Sequence, residues 1–261
     1  MAILTDVKGN VLCITISRPE VMNALDLETA EQLKKALIAF RDDSELQVCI
    51  LTGAGDRAFC TGADMLKTIG KAVIGGVTTD TKIDTTGLNF GYYGLNIWKP
   101  MIAAINGHCL AGGLGLALMC DIRICSENAT FGTVGTSRGI MPGAGQTQRL
   151  PRVIPISAAL ELFFTSKRID AQEAYRIGLV SSVVPHIKLM KAAYEMAEAI
   201  TANAPLAIQA CKEACLKGMD LPLAEGIALE VKLGAKLYST ADALEGTTAF
   251  REKRRPRFTG K

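Results

Sequence analysis

Apolar positions along this chain follow two rhythms. Val11–Ser17 is dense in β-branched residues and stops at Arg18-Pro19, where a proline ends a ladder, so it reads as a strand. Leu27–Phe40 places Ala30, Leu33, Leu37 and Ile38 on one helical face. Leu46–Thr52 is a short apolar run closed by Gly53-Ala-Gly55, the pattern of a buried strand. Asp64 stands where a helix starting at Met65 needs its N-cap. Residues 70–87, rich in glycine and threonine, read as a loop, and Leu88–Trp98 as a helix interrupted by Gly91 and Gly94. Met101–Asn106 and Asp121–Ser126 read as further buried strands flanking a glycine-rich helix, Gly112–Met119. From about residue 187 the pattern is helical only, with segments Ile187–Thr201, Pro205–Lys217, Leu221–Leu237 and Ala241–Glu252. Strand and helix alternate over the first two thirds, which predicts an α/β fold with largely parallel pairing followed by a helical end. A soft break falls at Asn203-Ala-Pro205.

Composition narrows the function. The 261 residues are 49% hydrophobic and 21% charged, enough for one large domain with a sizeable core and too apolar for disorder. The net charge is only +3, which does not suggest a nucleic-acid protein. It is unevenly placed: Arg251–Lys261 holds six basic residues and one acidic, net +5, leaving about −2 elsewhere. A local basic tail suits an anionic small ligand or a subunit contact. The eight cysteines form no CxxC and mostly sit in apolar runs, and there are only two histidines. They read as reduced core thiols, not as a zinc site or a disulfide framework. The chain opens directly in structured-looking sequence, and Gly, Asn or His cuts its longest apolar stretches. The expectation is a cytoplasmic protein with no membrane span.

Two segments carry candidate chemistry: Arg57-Ala-Phe-Cys-Thr-Gly-Ala-Asp64 and the run from Asn106 through Ala111-Gly-Gly113 to Asp121. Each reads as a buried strand entering a glycine turn and then a helix, which leaves free backbone N–H groups at a helix start. Two such groups facing one point stabilise a developing oxyanion. The same glycines also suit plain close packing of helix on strand, and the residues alone leave both readings open.

Several motifs resemble those of the crotonase, or enoyl-CoA hydratase/isomerase, superfamily. They are Pro19-x-Val-Met-Asn-Ala-Leu25, Ala58-Phe-Cys-Thr-Gly-Ala-Asp64, Ala104-Ile-Asn-Gly107, Ala111-Gly-Gly113, Met119-Cys-Asp121, Pro142-Gly-Ala-Gly145 with Thr147-Gln-Arg-Leu150, Gly178-Leu-Val180 and the tail Ala249-Phe-x-Glu-Lys-Arg254. The match runs in order over essentially the whole chain. The resemblance implies a crotonase-like ββα spiral core over 1–190 and a C-terminal helical region over 191–261 that joins subunits into a homotrimer or hexamer. It implies an acyl-CoA ligand, with coenzyme A entering as part of the substrate and no permanently bound cofactor or metal. The oxyanion hole carries over onto the backbone N–H groups of Cys60 and Gly112. Arg57 and Lys253, the latter from a neighbouring subunit, carry over as phosphate contacts, with a solvated tail the alternative for Lys253. Met22, Ala24, Thr61, Gly62, Ala63 and Asp64 would line the adenine and pantetheine. No histidine lies near Cys60 in sequence, so a nucleophilic thiol there is disfavoured, and His108 reads as a packed strand-end residue.

The chain departs from the family at its acid–base pair. The two glutamates that hold water in a hydratase of this kind fall on Gly115 and Gly135 here. Addition of water across an enoyl thioester needs a base for the water and an acid for the α-carbon, and glycine supplies neither. In one reading other residues supply these groups, with Asp80, Asp84, Asn89, Tyr92 and Tyr93 available, and the missing side chains leave room for a bulky or cyclic acyl group. The reaction is then of hydratase/isomerase type, with thioester hydrolysis, decarboxylation and C–C cleavage as alternatives. In the other reading the chain binds acyl-CoA without efficient turnover.

Overall fold

A computed structural model describes residues 1–64 and 94–261. The expected helix from Met65, the loop 70–87, most of Leu88–Trp98 and the candidate residues Asp80, Asp84, Asn89, Tyr92 and Tyr93 lie outside the described residues. Where Leu88–Trp98 re-enters, residues 94–98 are not helical. Gly94 and Asn96 hold left-handed φ values of 79° and 49°, which a right-handed helix does not accept.

Two sheets organise the core. The larger takes the order β1 (Ile3–Lys8), β2 (Val11–Ile16), β3 (Val48–Gly53), β5 (Met101–Ile105), β7 (Ile122–Ser126), β10 (Ser182–Val184), parallel throughout except for the β1–β2 pair. Its central strands are buried on both faces, which is why they read as continuous apolar runs without alternation. Side chains nevertheless alternate across the sheet. Leu12, Ile14, Cys49, Leu51, Met101 and Ala103 face the main core with α1 (Leu27–Asp42). Val11, Cys13, Val48, Ile50, Ile102 and Ala104 face a second cluster, closed by Leu189, Ala193 and Ala197 of a later helix, Leu189–Thr201. Asp26 caps α1 by accepting from the Thr29 N–H at 2.9 Å. At its far end the Lys99 ammonium donates to the Phe40 and Asp43 carbonyls at 2.9 and 2.5 Å, placing a cation at the negative helix terminus.

The smaller sheet, β4 (Ala58–Cys60), β6 (His108–Leu110), β8 (Thr130–Gly132) and β9 (Ile169–Asp170), was not expected. It corrects the simple strand–turn–helix reading: Asn106-Gly107 turns the chain from β5 of the large sheet into β6 of the small one before the helix begins. The helices that follow are α2 (Gly112–Met119), α3 (Gln146–Val153), α4 (Ile156–Thr165), α5 (Ala171–Arg176), α6 (Leu189–Thr201), α7 (Pro205–Gly218), α8 (Leu223–Leu237) and α9 (Ala241–Glu252). Helices α2, α6, α7, α8 and α9 fall within two residues of the ranges their periodicity predicts.

Helices α7 and α8 bury no residue, and Leu223, Ile227 and Val231 leave an apolar stripe on α8 open. The last eight residues fold back on α9. Asp242 accepts from the Thr259 and Gly260 N–H groups at 2.6 and 2.8 Å, and Glu245 holds Arg254 by two hydrogen bonds of 2.6 and 2.8 Å. Part of the basic tail is therefore neutralised within the chain. Arg254 together with the Arg257 N–H lowers the Glu245 pKa to about 2. A depressed carboxylate stabilises the tail above its unfolded pKa and loses that contribution as pH falls towards the folded value. The Arg257 amide, which Glu245 accepts from, is therefore expected to lose hydrogen-exchange protection between about pH 4.5 and pH 2, and Glu245→Gln to remove most of that pH dependence.

Candidate active site

The site forms where the two glycine segments meet. Two buried asparagines fix the first. Asn23 donates to the Ala58 carbonyl at 2.7 Å and to Ala54 at 3.0 Å, and its oxygen accepts from the Arg18 N–H. Asn106 donates to the carbonyls of Gly53, Gly55 and Ala58 at 2.9, 2.7 and 3.2 Å. Side-chain amides thus satisfy a bend that no ladder satisfies, as buried backbone groups require. A Cβ on Gly107 would meet the Arg57 carbonyl, and one on Gly53 the Ala58 and Phe59 carbonyls, so these crossings need glycine.

The second segment approaches as closely. A Cβ on Gly113 would run into the Cys60 carbonyl, and one on Gly62, whose φ is +91°, would lie 2.6 Å from the Gly112 nitrogen. The backbones at 60–62 and 111–113 are therefore in direct contact. Ala111 turns the chain between β6 and α2 with φ 48° and ψ −125°, a conformation that costs an L-residue about 1–3 kcal/mol. Gly112 follows as the first residue of α2, so its N–H has no intrahelical acceptor. The structure thus brings the backbone of Cys60 and Gly62 against that of Gly112 and Gly113.

The predicted coenzyme-lining residues gather around the same bend. A parallel bridge joins Leu25 to Ala63, Leu25 N–H donates to Gly62 O at 2.8 Å, and Asp64 N–H to Leu25 O at 2.8 Å. The Thr61 hydroxyl donates to the Met22 carbonyl at 3.2 Å. Met22 and Ala24 therefore sit beside Thr61–Asp64. Arg18, buried and read in the sequence only as part of a strand stop, clamps them: its guanidinium reaches Ala24 O at 2.6 Å, Asp26 at 3.2 Å and Asp64 at 3.3 Å. A lone arginine before Pro19, followed by aspartates, was the available signal for that clamp, and Asn23 lay within a quoted motif. Arg57 is exposed at the entrance to β4. Lys253 lies apart as the left-handed residue that ends α9, its side chain exposed.

Burial pushes the Cys60 thiol up to about 12, and its sulfur accepts from the Gly62 N–H at 3.4 Å. That side chain is no thiolate at neutral pH. His108 Nδ1 pairs with Thr130 Oγ1 at 2.7 Å, and its pKa is lowered by burial and then by the charges of Arg168 and Arg57. It is a partnered strand residue. Among the described residues no three His, Cys, Asp or Glu side chains come together as a metal site.

One expectation needs correction. Gly115 and Gly135 do not leave empty space at their α-carbons. A Cβ on Gly115 would lie 2.6 Å from both the Cβ and the carbonyl oxygen of Ala144, and one on Gly135 would lie 2.9 Å from Ile140 O and 3.1 Å from Pro142 N. One segment, Ile140–Ala144, closes on both positions.

A mostly parallel sheet carrying a short second sheet, with two glycine turns meeting at a helix start, places the chain among α/β folds. The chain belongs to the enoyl-CoA hydratase/isomerase family, whose model matches residues 6–261. It is 41% identical over 263 residues to the (E)-benzylidenesuccinyl-CoA hydratase of Thauera aromatica, with 100% of both chains covered. It is 39% identical to the carnitinyl-CoA dehydratase of Proteus mirabilis, with 97% of each chain covered. The crystal structure of an enoyl-CoA hydratase from Bacillus anthracis superposes with a TM-score of 0.92 at 38% identity, covering 100% of both chains.

Proposed function

We propose that this protein is a lyase/isomerase-type enzyme that polarises an acyl-CoA thioester between the N–H groups of Cys60 and Gly112. The reaction is of hydratase/isomerase type on an unusual, bulky or cyclic acyl group. The observation that carries the reading is the direct contact of the two glycine segments at Gly62 and Gly112. An N–H at the start of α2 adds its own dipole to that of the helix, and the charge on the thioester oxygen grows as the enolate forms. Arg57 meets the phosphates, Met22, Ala24 and Thr61–Asp64 line the adenine and pantetheine, and Lys253 reaches a neighbouring subunit's coenzyme. Arg18 supports this by fixing the lining segments to each other. The acyl class draws on the relatives named for benzylidenesuccinyl-CoA and carnitinyl-CoA. No cofactor beyond the coenzyme of the substrate enters the reading. Eight free thiols, six of them buried, fit a reducing cytoplasm.

A second reading, acyl-CoA binding with other chemistry or none, draws on the closure of Gly115 and Gly135 by the 140–144 segment. Screening of straight-chain, aryl-substituted and cyclic enoyl-CoA thioesters by chromatography coupled to mass spectrometry, which also resolves isomers of equal mass, separates the two. The first reading expects a water adduct or double-bond isomer with a bulky thioester and little with crotonyl-CoA. Binding without conversion of any thioester would overturn it in favour of the second.

The region 191–261 is proposed to form the subunit contact, through the helices from Pro205 onward. Leu223 is 80% exposed, Ile227 51% and Val231 64%, an apolar stripe that a lone chain leaves in water. Light scattering at micromolar concentration is expected to return a trimer or a hexamer; a stable monomer would refute the assignment.

A further inference from the structure

Ala111 joins β6 to α2 with φ 48° and ψ −125°. Met22, Ser166 and Lys253 also hold positive φ, but they lie in the left-handed helical well. Ala111 lies outside that well, in the mirror-image extended region that glycine enters freely and an L-side chain does not. Gly112 and Gly113 follow it, so the strained residue stands beside two that would hold the same torsions at no cost. The strain is held from three sides. The Ala111 N–H donates to the Gly132 carbonyl of β8 at 2.9 Å, and the Ala111 carbonyl accepts from the Gly115 N–H of α2 at 3.2 Å. Its methyl lies 3.0 Å from where a Cβ on Gly62 would stand.

The torsion ψ of Ala111 sets the plane of the peptide that carries the Gly112 N–H. A trans peptide points its N–H opposite to its C=O. The Ala111 carbonyl points along α2 to Gly115, so the Gly112 N–H points out of the helix start, and the Gly112 nitrogen lies against Gly62. Relaxing ψ into the left-handed well, at about +47°, turns that plane by about 170° and reverses the N–H.

We infer that Ala111 is the positioning residue of the oxyanion pair, and that its strained ψ is what aims the Gly112 N–H at the thioester oxygen. The inference rests on the acyl-CoA reading above and deepens it: the donor is aimed before substrate arrives, by a torsion that the fold holds away from its resting value. Ala111 touches no substrate atom in this account and acts through Gly112.

The test reads the carbonyl stretch of crotonyl-CoA, isotope-labelled at its thioester carbon, by infrared difference spectroscopy when bound to the wild type, Ala111→Gly and Ala111→Asn. Glycine holds the torsion without cost, so Ala111→Gly should keep the wild-type shift and melt about 2–6 °C higher. Asparagine accepts the left-handed well more readily than alanine, so Ala111→Asn should fold and lose much of the shift. Coenzyme A itself, which has no acyl carbonyl, should bind all three proteins alike. A folded Ala111→Asn with the full wild-type shift would overturn the inference and leave the acyl-CoA reading intact, as would loss of the shift in Ala111→Gly. A wild-type carbonyl at its aqueous frequency would overturn the oxyanion reading and the inference with it. A crystal structure of the wild type with crotonyl-CoA gives an answer that needs no variant. The Gly112 nitrogen is expected within about 3 Å of the carbonyl oxygen with Ala111 ψ near −125°, and a ψ in the left-handed well or a separation above about 4 Å would overturn the inference.

Discussion

Gly115→Glu is expected to lower the melting temperature by about 10 °C or more and to yield no better hydratase. The nearest atoms to a new Cβ are the Ala144 Cβ and carbonyl oxygen, both at 2.6 Å, and one of them is backbone. Overpacking of that kind costs about 1–3 kcal/mol, and a glutamate buried there without a partner adds several more. At about 2–4 °C per kcal/mol for a chain of this size, the two together give the expected shift. Gly135→Glu meets Ile140 O at 2.9 Å and Pro142 N at 3.1 Å, so its cost should be smaller. Thermal unfolding of each variant, followed by crotonyl-CoA hydration on those that fold, checks both. An unchanged melting temperature with a large gain in hydration would show that the 140–144 segment yields and that the carboxylate pocket is still there.

Gly62→Ala is expected to reduce turnover by about 10²–10³-fold, the usual effect of losing one oxyanion donor. The added methyl lies 2.6 Å from the Gly112 nitrogen, 3.0 Å from the Ala111 Cβ and 3.3 Å from the Leu110 carbonyl, and φ at this position is +91°. The variant must shift the 60–62 backbone away from α2, which separates the two donors. Coenzyme A affinity should fall less than turnover, since Arg57 lies outside the clash, although the shift carries the Thr61–Asp64 lining with it. A change in affinity as large as the change in turnover would mean that Gly62 only shapes the fold.

Much of this architecture was legible because its signals are long. Six-residue strands buried on both faces, such as β3, leave an unbroken apolar run, and helices such as α9 keep their periodicity to the last turn. The small sheet was not legible. Its strands hold two or three residues each, shorter than any period, and only partner strands from distant parts of the chain define them. Helix α3 hid behind Pro151 in its interior and a glycine at its cap. The site divides in the same way. Cys60, Gly62 and Gly112 sit in motifs that can be read locally. The closure of Ala144 on Gly115 and the Arg18 clamp are tertiary contacts between residues far apart in sequence, and no local pattern encodes them.

The claim that the paired N–H groups polarise a thioester is tested most directly by infrared difference spectroscopy of a bound acyl-CoA isotope-labelled at its carbonyl carbon. Two donors near 2.9 Å weaken the C=O bond, so the account predicts a stretch shifted below its value in water for the wild type, with much of the shift lost in Gly62→Ala. A bound carbonyl that absorbs at its aqueous frequency in both proteins would contradict the account.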